Sequence, residues 1–170
     1  MVVGSNPTPA IGGKMIYNIE TIEIDPKFQK LCMAPYPGHP RGCPNYGKKE
    51  GCPPKQKLFF DMFDSDFYLI YTEFNLGGHV KRMKKKHPDW TDRQLYCCLY
   101  WQGTARKNLK AEILKFKTMR PDLYITTCPE AMGVDVTQLM ESNAGVCLEW
   151  PPIETTYQVA IAGRTHKGRK

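Results

Sequence analysis

Between Leu31 and Pro54 the chain reads LCMAPYPGHPRGCPNYGKKEGCPP, with six prolines and four glycines. Proline fixes φ and removes an N–H, and glycine costs backbone entropy, so no regular element fits this stretch. A long loop in a small protein is either functional or disordered. Three cysteines, Cys32, Cys43 and Cys52, lie in this one. Two of them, Cys43-Pro44 and Cys52-Pro53, share a Cys-Pro step with Cys128-Pro129 further along. Proline after a ligand cysteine helps a loop bend around a bulky inorganic centre, and the same step closes the cysteine run of bacterial ferredoxins. A metal or cluster site is the expectation.

Ten residues separate Cys32 from Cys43, and eight separate Cys43 from Cys52. Structural zinc sites are built from tight C-x₂₋₄-C knuckles, which are absent here. The looser spacing favours a [4Fe–4S] cluster held by Cys32, Cys43, Cys52 and, from a second loop, Cys128, with zinc as the alternative. Cys147 is the reserve fourth ligand; otherwise it reads as a core residue of a strand. Cys97 and Cys98 read as core residues in the middle of a helix. His39, in Pro-Gly-His-Pro, is either a ligand or acid/base group beside the centre or a solvated loop histidine. Asp61, Asp64 and Asp66 lack the glycine and distal glutamate of a calcium loop and read as turn formers and caps.

The 170 residues suit one domain with a sizeable core. No apolar run approaches the ~20 residues that span a bilayer, and no basic stretch leading into an apolar one opens the chain. A cytoplasmic location is therefore expected, where seven cysteines point to metal or catalysis over disulfides. The net charge of +7 collects in Lys81–Lys86, in Arg106–Arg120 and in the tail Arg164–Lys170. It is either a solvated surface or a surface for tRNA or another nucleic acid. Gly4-Ser5-Asn6-Pro7 is what the T-arm string of a tRNA gene encodes. Residues 1–14 are thus expected to be a translated tRNA end ahead of a native start at Met15, or else a Pro/Gly-rich disordered leader. Residues 15–163 form the domain and 164–170 a basic tail.

Hydrophobic periodicity gives a strand over 15–24, a helical turn at 27–31 and a buried strand over 67–74 that Gly77-Gly78 breaks. A basic helix follows over 79–86, stopped by His87-Pro88. Thr91 caps a long helix reaching about residue 118, divided or kinked at Gly103 and buried along Leu95, Cys98, Leu99, Leu109, Ile113 and Phe116. Strands at 123–126, 146–150 and 156–162 and a helix at 136–142 complete the pattern. The interleaving predicts a single α/β domain, with α+β as the other arrangement. Its mixed sheet would carry flanking helices and the long Cys/Pro/Gly-rich metal-binding loop.

The run from Cys43 to Pro54, CPNYGKKEGCPP, resembles the C-P-N-Y-G-K…C-P-P signature of a family of predicted metal-binding proteins of unknown function from archaea and bacteria. In that family another cysteine lies upstream, as Cys32 does here. Pro129–Val136 (PEAMGVDV) is similar to the family's P-x-x-M-E-A-x-G-I-D-V element, and Cys128 matches the cysteine before it. The family commonly carries several more cysteines at that point, where this chain has only Cys128, so a single site is expected. The resemblance implies metal or iron–sulfur binding and supplies no reaction.

Two functions are compatible with these features. One is an iron–sulfur protein working in electron transfer with a redox partner, or in Lewis-acid chemistry, with sulfur chemistry on a nucleotide or tRNA as an example. The other is a non-catalytic, zinc- or cluster-stapled module that binds nucleic acid or protein. There the cationic side of the helix from Thr91 would meet phosphates, and Tyr96, Tyr100 and Trp101 would meet bases.

Overall fold

The apolar run Phe67–Tyr71 lies in one of the two central strands of the sheet. The computed structural model describes residues 14–36 and 38–166, with the side chains of Lys14 and Met15 left aside. In chain order the elements are β1 (Lys14–Asn18), α1 (Phe59–Met62), β2 (Phe63–Asn75), α2 (Leu76–Lys86), α3 (Asp92–Leu95), α4 (Gln102–Met119), β3 (Tyr124–Thr126), α5 (Val136–Ala144) and β4 (Thr155–Thr165). Short 3₁₀ segments add Pro26–Met33, Cys98–Tyr100 and Pro129–Met132. The reading of residues 1–13 falls outside the described residues.

The sheet order is β1-β2-β4-β3. The α/β domain is as expected, but the sheet is not mixed: all three pairings are antiparallel. β2 and β4 lie at its centre and are covered on both faces. Leu69, Tyr71, Val159 and Ile161 join Phe59, Met132, Val134, Leu139 and Met140 in one core layer. Their alternates Ile70, Ala160 and Ala162 meet Leu109, Phe116 and Leu123 in the other. Alternate residues of a strand face opposite ways, so a strand buried on both faces must be apolar without alternation. A third cluster, Leu76, Cys98, Trp101 and Ala105, packs where β2 passes into α2.

Four local expectations are corrected. The strand ends before Gly77-Gly78 as expected, but the helix expected from His79 begins at Leu76 and takes both glycines into its first turn: Asn75 caps it by accepting from Gly78 N–H, and the Glu154 carboxylate closes on Gly77 where a Cβ would stand. The long helix from Thr91 is three pieces: a capping box between Thr91 and Gln94 starts α3, Cys97 turns extended, and Trp101 begins α4. Leu99 of the expected stripe is 67% exposed as a result. Residues 146–150 form no strand. The Glu149 carboxylate instead accepts from the N–H groups of Ile153, Glu154 and Thr155 and shapes an irregular turn.

Arg164 and Thr165 belong to β4. Arg164 pairs with Asp66 and Asp122, and Arg120 bonds Asp122 and the Tyr68 hydroxyl, which closes an ionic lattice at the β3 edge.

Candidate metal centre

All three Cys-Pro steps do the same local work. The carbonyl of Cys43 accepts from Tyr46 N–H, that of Cys52 from Gln56 N–H, and that of Cys128 from Ala131 N–H. Pro44 and Pro129 stand at the first inner position of four-residue turns, where a proline's fixed φ suits the turn and its missing N–H costs nothing; the turn from Cys52 is one residue wider, closing on Gln56. Each cysteine therefore sits at the mouth of a tight turn. Cys32 reaches the same region from the end of the 3₁₀ segment Pro26–Met33, which Asp25 caps by accepting from Lys27 N–H.

Long-range pairing brings these turns together. Asp25 N–H donates to the Gly133 carbonyl at 2.8 Å and Asp135 N–H to the Glu23 carbonyl at 3.0 Å, around an Ile24–Val134 bridge. This clamp sets the Cys32 segment beside the Cys128 turn. Gln29 fastens the third partner: its side-chain amide donates to the Ala131 carbonyl at 2.9 Å and to the Gln56 carbonyl at 3.0 Å. Within the loop, Cys43 N–H donates to the Cys32 carbonyl at 2.7 Å. That approach passes over Gly42, which is buried at φ +77°, and a Cβ there would stand 2.7–2.8 Å from the backbone of Cys32 and Met33.

The electrostatics report the convergence. Burial first, and then the charges on Cys43, Glu130, Cys52 and Cys128, push the Cys32 thiol up to about 11. Cys128 is exposed as a residue, yet the protein around its thiol also raises it. Glu130 and Cys52 add to that effect, while a hydrogen bond from Thr127 and the charge of Arg106 oppose it. Burial raises the Glu130 carboxyl as well. The segments that carry Cys32, Cys43, Cys52 and Cys128 are thus neighbours through their backbone and Gln29 hydrogen bonds. Among the described residues, no three His, Cys, Asp or Glu side chains are gathered closely enough to hold a metal ion.

Cys97 and Cys98 are not mid-helix residues. Cys97 is half-buried and extended, and Cys98, 4% exposed, opens a 3₁₀ turn. Neighbouring side chains of an extended chain diverge, but here both sulfurs abut the cysteine loop. A Cβ on Gly38, whose φ is +97°, would lie 2.9 Å from Cys98 Sγ and 3.1 Å from Cys97 Sγ. The Tyr36 hydroxyl is pushed up to about 12 by burial and then by Cys43 and Cys98, and Arg106 pulls against them. His39 exchanges two backbone hydrogen bonds with Tyr36 and lays its ring edge-on to the tyrosine at 5.1 Å. Cys147 is exposed in the irregular turn, not buried in a strand.

Sequence reasoning passed over Gln29, Tyr36, Arg106 and Glu130 as site residues. Arg106 had been read only as part of a cationic helix face, yet it influences Cys98, Cys128 and Tyr36 together. Comparison with protein-family models, curated proteins and solved structures finds no match for this chain.

Proposed function

We propose that this protein binds an iron–sulfur cluster, [4Fe–4S], through Cys32, Cys43, Cys52 and Cys128. The observation that carries the reading is the hydrogen-bonded docking of the Cys32 and Cys52 segments against the Cys128 turn, two stretches of chain far apart in sequence. The donor type fits, since thiolates are the ligands of such clusters; the described side chains are not gathered into a ready metal site, so loading would draw the cysteine loop in around the centre. The resemblance of Cys43–Pro54 and Cys128–Val136 to the predicted metal-binding family points the same way. When bound, the cluster would supply one-electron transfer or, with an open iron, Lewis acidity.

The chain's own residues then have separate tasks. The turns opened by Pro44, Pro53 and Pro129 aim the sulfurs. Gln29 and the 23–25/133–135 clamp hold the three segments in register. Arg106 offsets the negative charge of the thiolates. Among the described residues no helix is long and apolar enough to cross a membrane, and a reducing, cytoplasmic setting suits the free thiols. The partners we assign are a redox protein and, from the +7 charge, nucleic acid such as tRNA.

Anaerobic purification tests the reading. Brown protein absorbing near ~400 nm, as thiolate-bound iron gives, is expected. Cys43→Ser and Cys52→Ser should bleach it and Cys147→Ser should not. Colourless protein with one zinc bound would overturn the cluster and leave the thiolate site. Cys128→Ser separates a four-thiolate cluster, which it abolishes, from one with an open iron, which it spares.

A further inference from the structure

The turn after α2 and the 3₁₀ segment Cys98–Tyr100 bring three aromatic rings into contact. His87 stacks on Trp90 with centroids 4.3 Å apart and planes within 10°. Trp90 in turn meets Tyr100 at 4.8 Å. Tyr100 is 51% exposed at the outer end of the series, and His87 and Trp90 are half-buried. The rings sit at the cationic end of α2. Lys84 Nζ donates to the Trp90 carbonyl at 3.0 Å, which fixes the last turn of the helix to the stack. Lys81, Arg82, Lys85, Lys86 and Arg93, within a few residues of His87 and Trp90 in the chain, are exposed, and among the described residues none of these five makes an ion pair. From His79 to Arg93 the chain has six cations against two carboxylates, Asp89 and Asp92.

An exposed ring stack beside unpaired cations has a specific complement. Phosphates satisfy the cations by releasing condensed counterions, and an unstacked base extends a ring series through its π-face. Duplex bases are already stacked and offer no such face. We propose that His87, Trp90 and Tyr100, with Lys81, Lys85 and Lys86, form a docking surface for single-stranded nucleic acid. It is not the helix face expected from the sequence: Trp101 is buried with its indole N–H donated to the Tyr96 carbonyl, and Tyr96 packs against the third core cluster. The proposal goes beyond the metal reading and does not depend on it.

The test is fluorescence anisotropy with a labelled single strand of about twelve nucleotides, a length within the range of known single-strand sites. Affinity should fall with salt at a log–log slope of about −2, the value for three phosphates neutralised on a single strand. Tyr100→Ala, at an exposed ring, should weaken binding roughly five- to a hundred-fold, as the loss of one base–ring stack does. Lys85→Ala with Lys86→Ala should flatten the slope by about 1.4. Cys43→Ser should bind as the parent does, so failure of the metal reading leaves this result intact. Equal affinity for a duplex of the same length, unchanged binding in Tyr100→Ala, or binding only to anionic vesicles would each overturn the proposal.

Discussion

Replacing Gly42 with alanine probes the joint on which the cysteine loop turns. Two costs arise, and the structure separates them. At φ +77° any L-residue sits in the left-handed region, which costs about 1–2 kcal/mol. In addition, the new Cβ would lie 2.7 Å from the Met33 carbonyl oxygen and 2.8 Å from that of Cys32. These are backbone atoms and cannot swing aside as a flexible side chain would, so overpacking adds about 1–3 kcal/mol. Gly47→Ala is the matched control: its φ is +70°, and nothing lies within 4 Å of its Cβ position. It should lose the first cost alone. In urea denaturation of metal-free protein, Gly42→Ala should be less stable than Gly47→Ala by about 1–3 kcal/mol with the slope unchanged. It should also retain less metal, because the strain falls between the backbones of Cys32 and Cys43. Equal losses in the two variants would refute the steric argument. A clear stability difference with identical metal content would refute the link between this joint and the centre.

Gln29→Ala leaves the Gln56 and Ala131 carbonyls without their shared donor; it should cost about 1–2 kcal/mol and weaken metal retention, measured by denaturation and metal content, while Gln29→Glu should fail to restore either. Metal-free protein should lose stability as pH rises from 9 toward 11, because the Cys32 thiol ionises near its ordinary 9.0 when unfolded but only near about 11 when folded. Cys32→Ser should flatten a melting-temperature profile across that window. Arg120→Ala removes the bonds to Tyr68 and Asp122 and should cost about 1 kcal/mol, less at high salt, because the lattice is part-exposed.

Local chemistry was readable from the sequence wherever a residue acts on its near neighbours. The Cys-Pro steps, the Asn75-to-Lys86 helix stop at His87 and the double-sided burial of β2 all belong to that class. What failed was chemistry set by distant partners. The apolar spacing from Leu95 to Phe116 looks helical throughout, but contact with the cysteine loop holds Cys97 extended and splits the segment. One local case failed as well: Val146–Trp150 has strand composition, yet Glu149 caps a turn with residues only four to six positions on. Gln29, Tyr36 and Arg106 are ordinary polar residues in the string. Their roles exist only once residues about a hundred positions away have docked, as Gln29 with Ala131 shows at a separation of 102.

The clamp between residues 23–25 and 133–135 has a consequence for biosynthesis. Of the four cysteines proposed as donors, Cys32, Cys43 and Cys52 leave the ribosome early, while Cys128 and the segment 133–135 that docks its turn follow only after most of the chain has been made. A nascent chain can therefore offer only an incomplete thiol set. On the proposed four-thiolate assignment, stable loading would wait for the C-terminal half to be released and docked, and assembly of the centre would be a late checkpoint on correct folding.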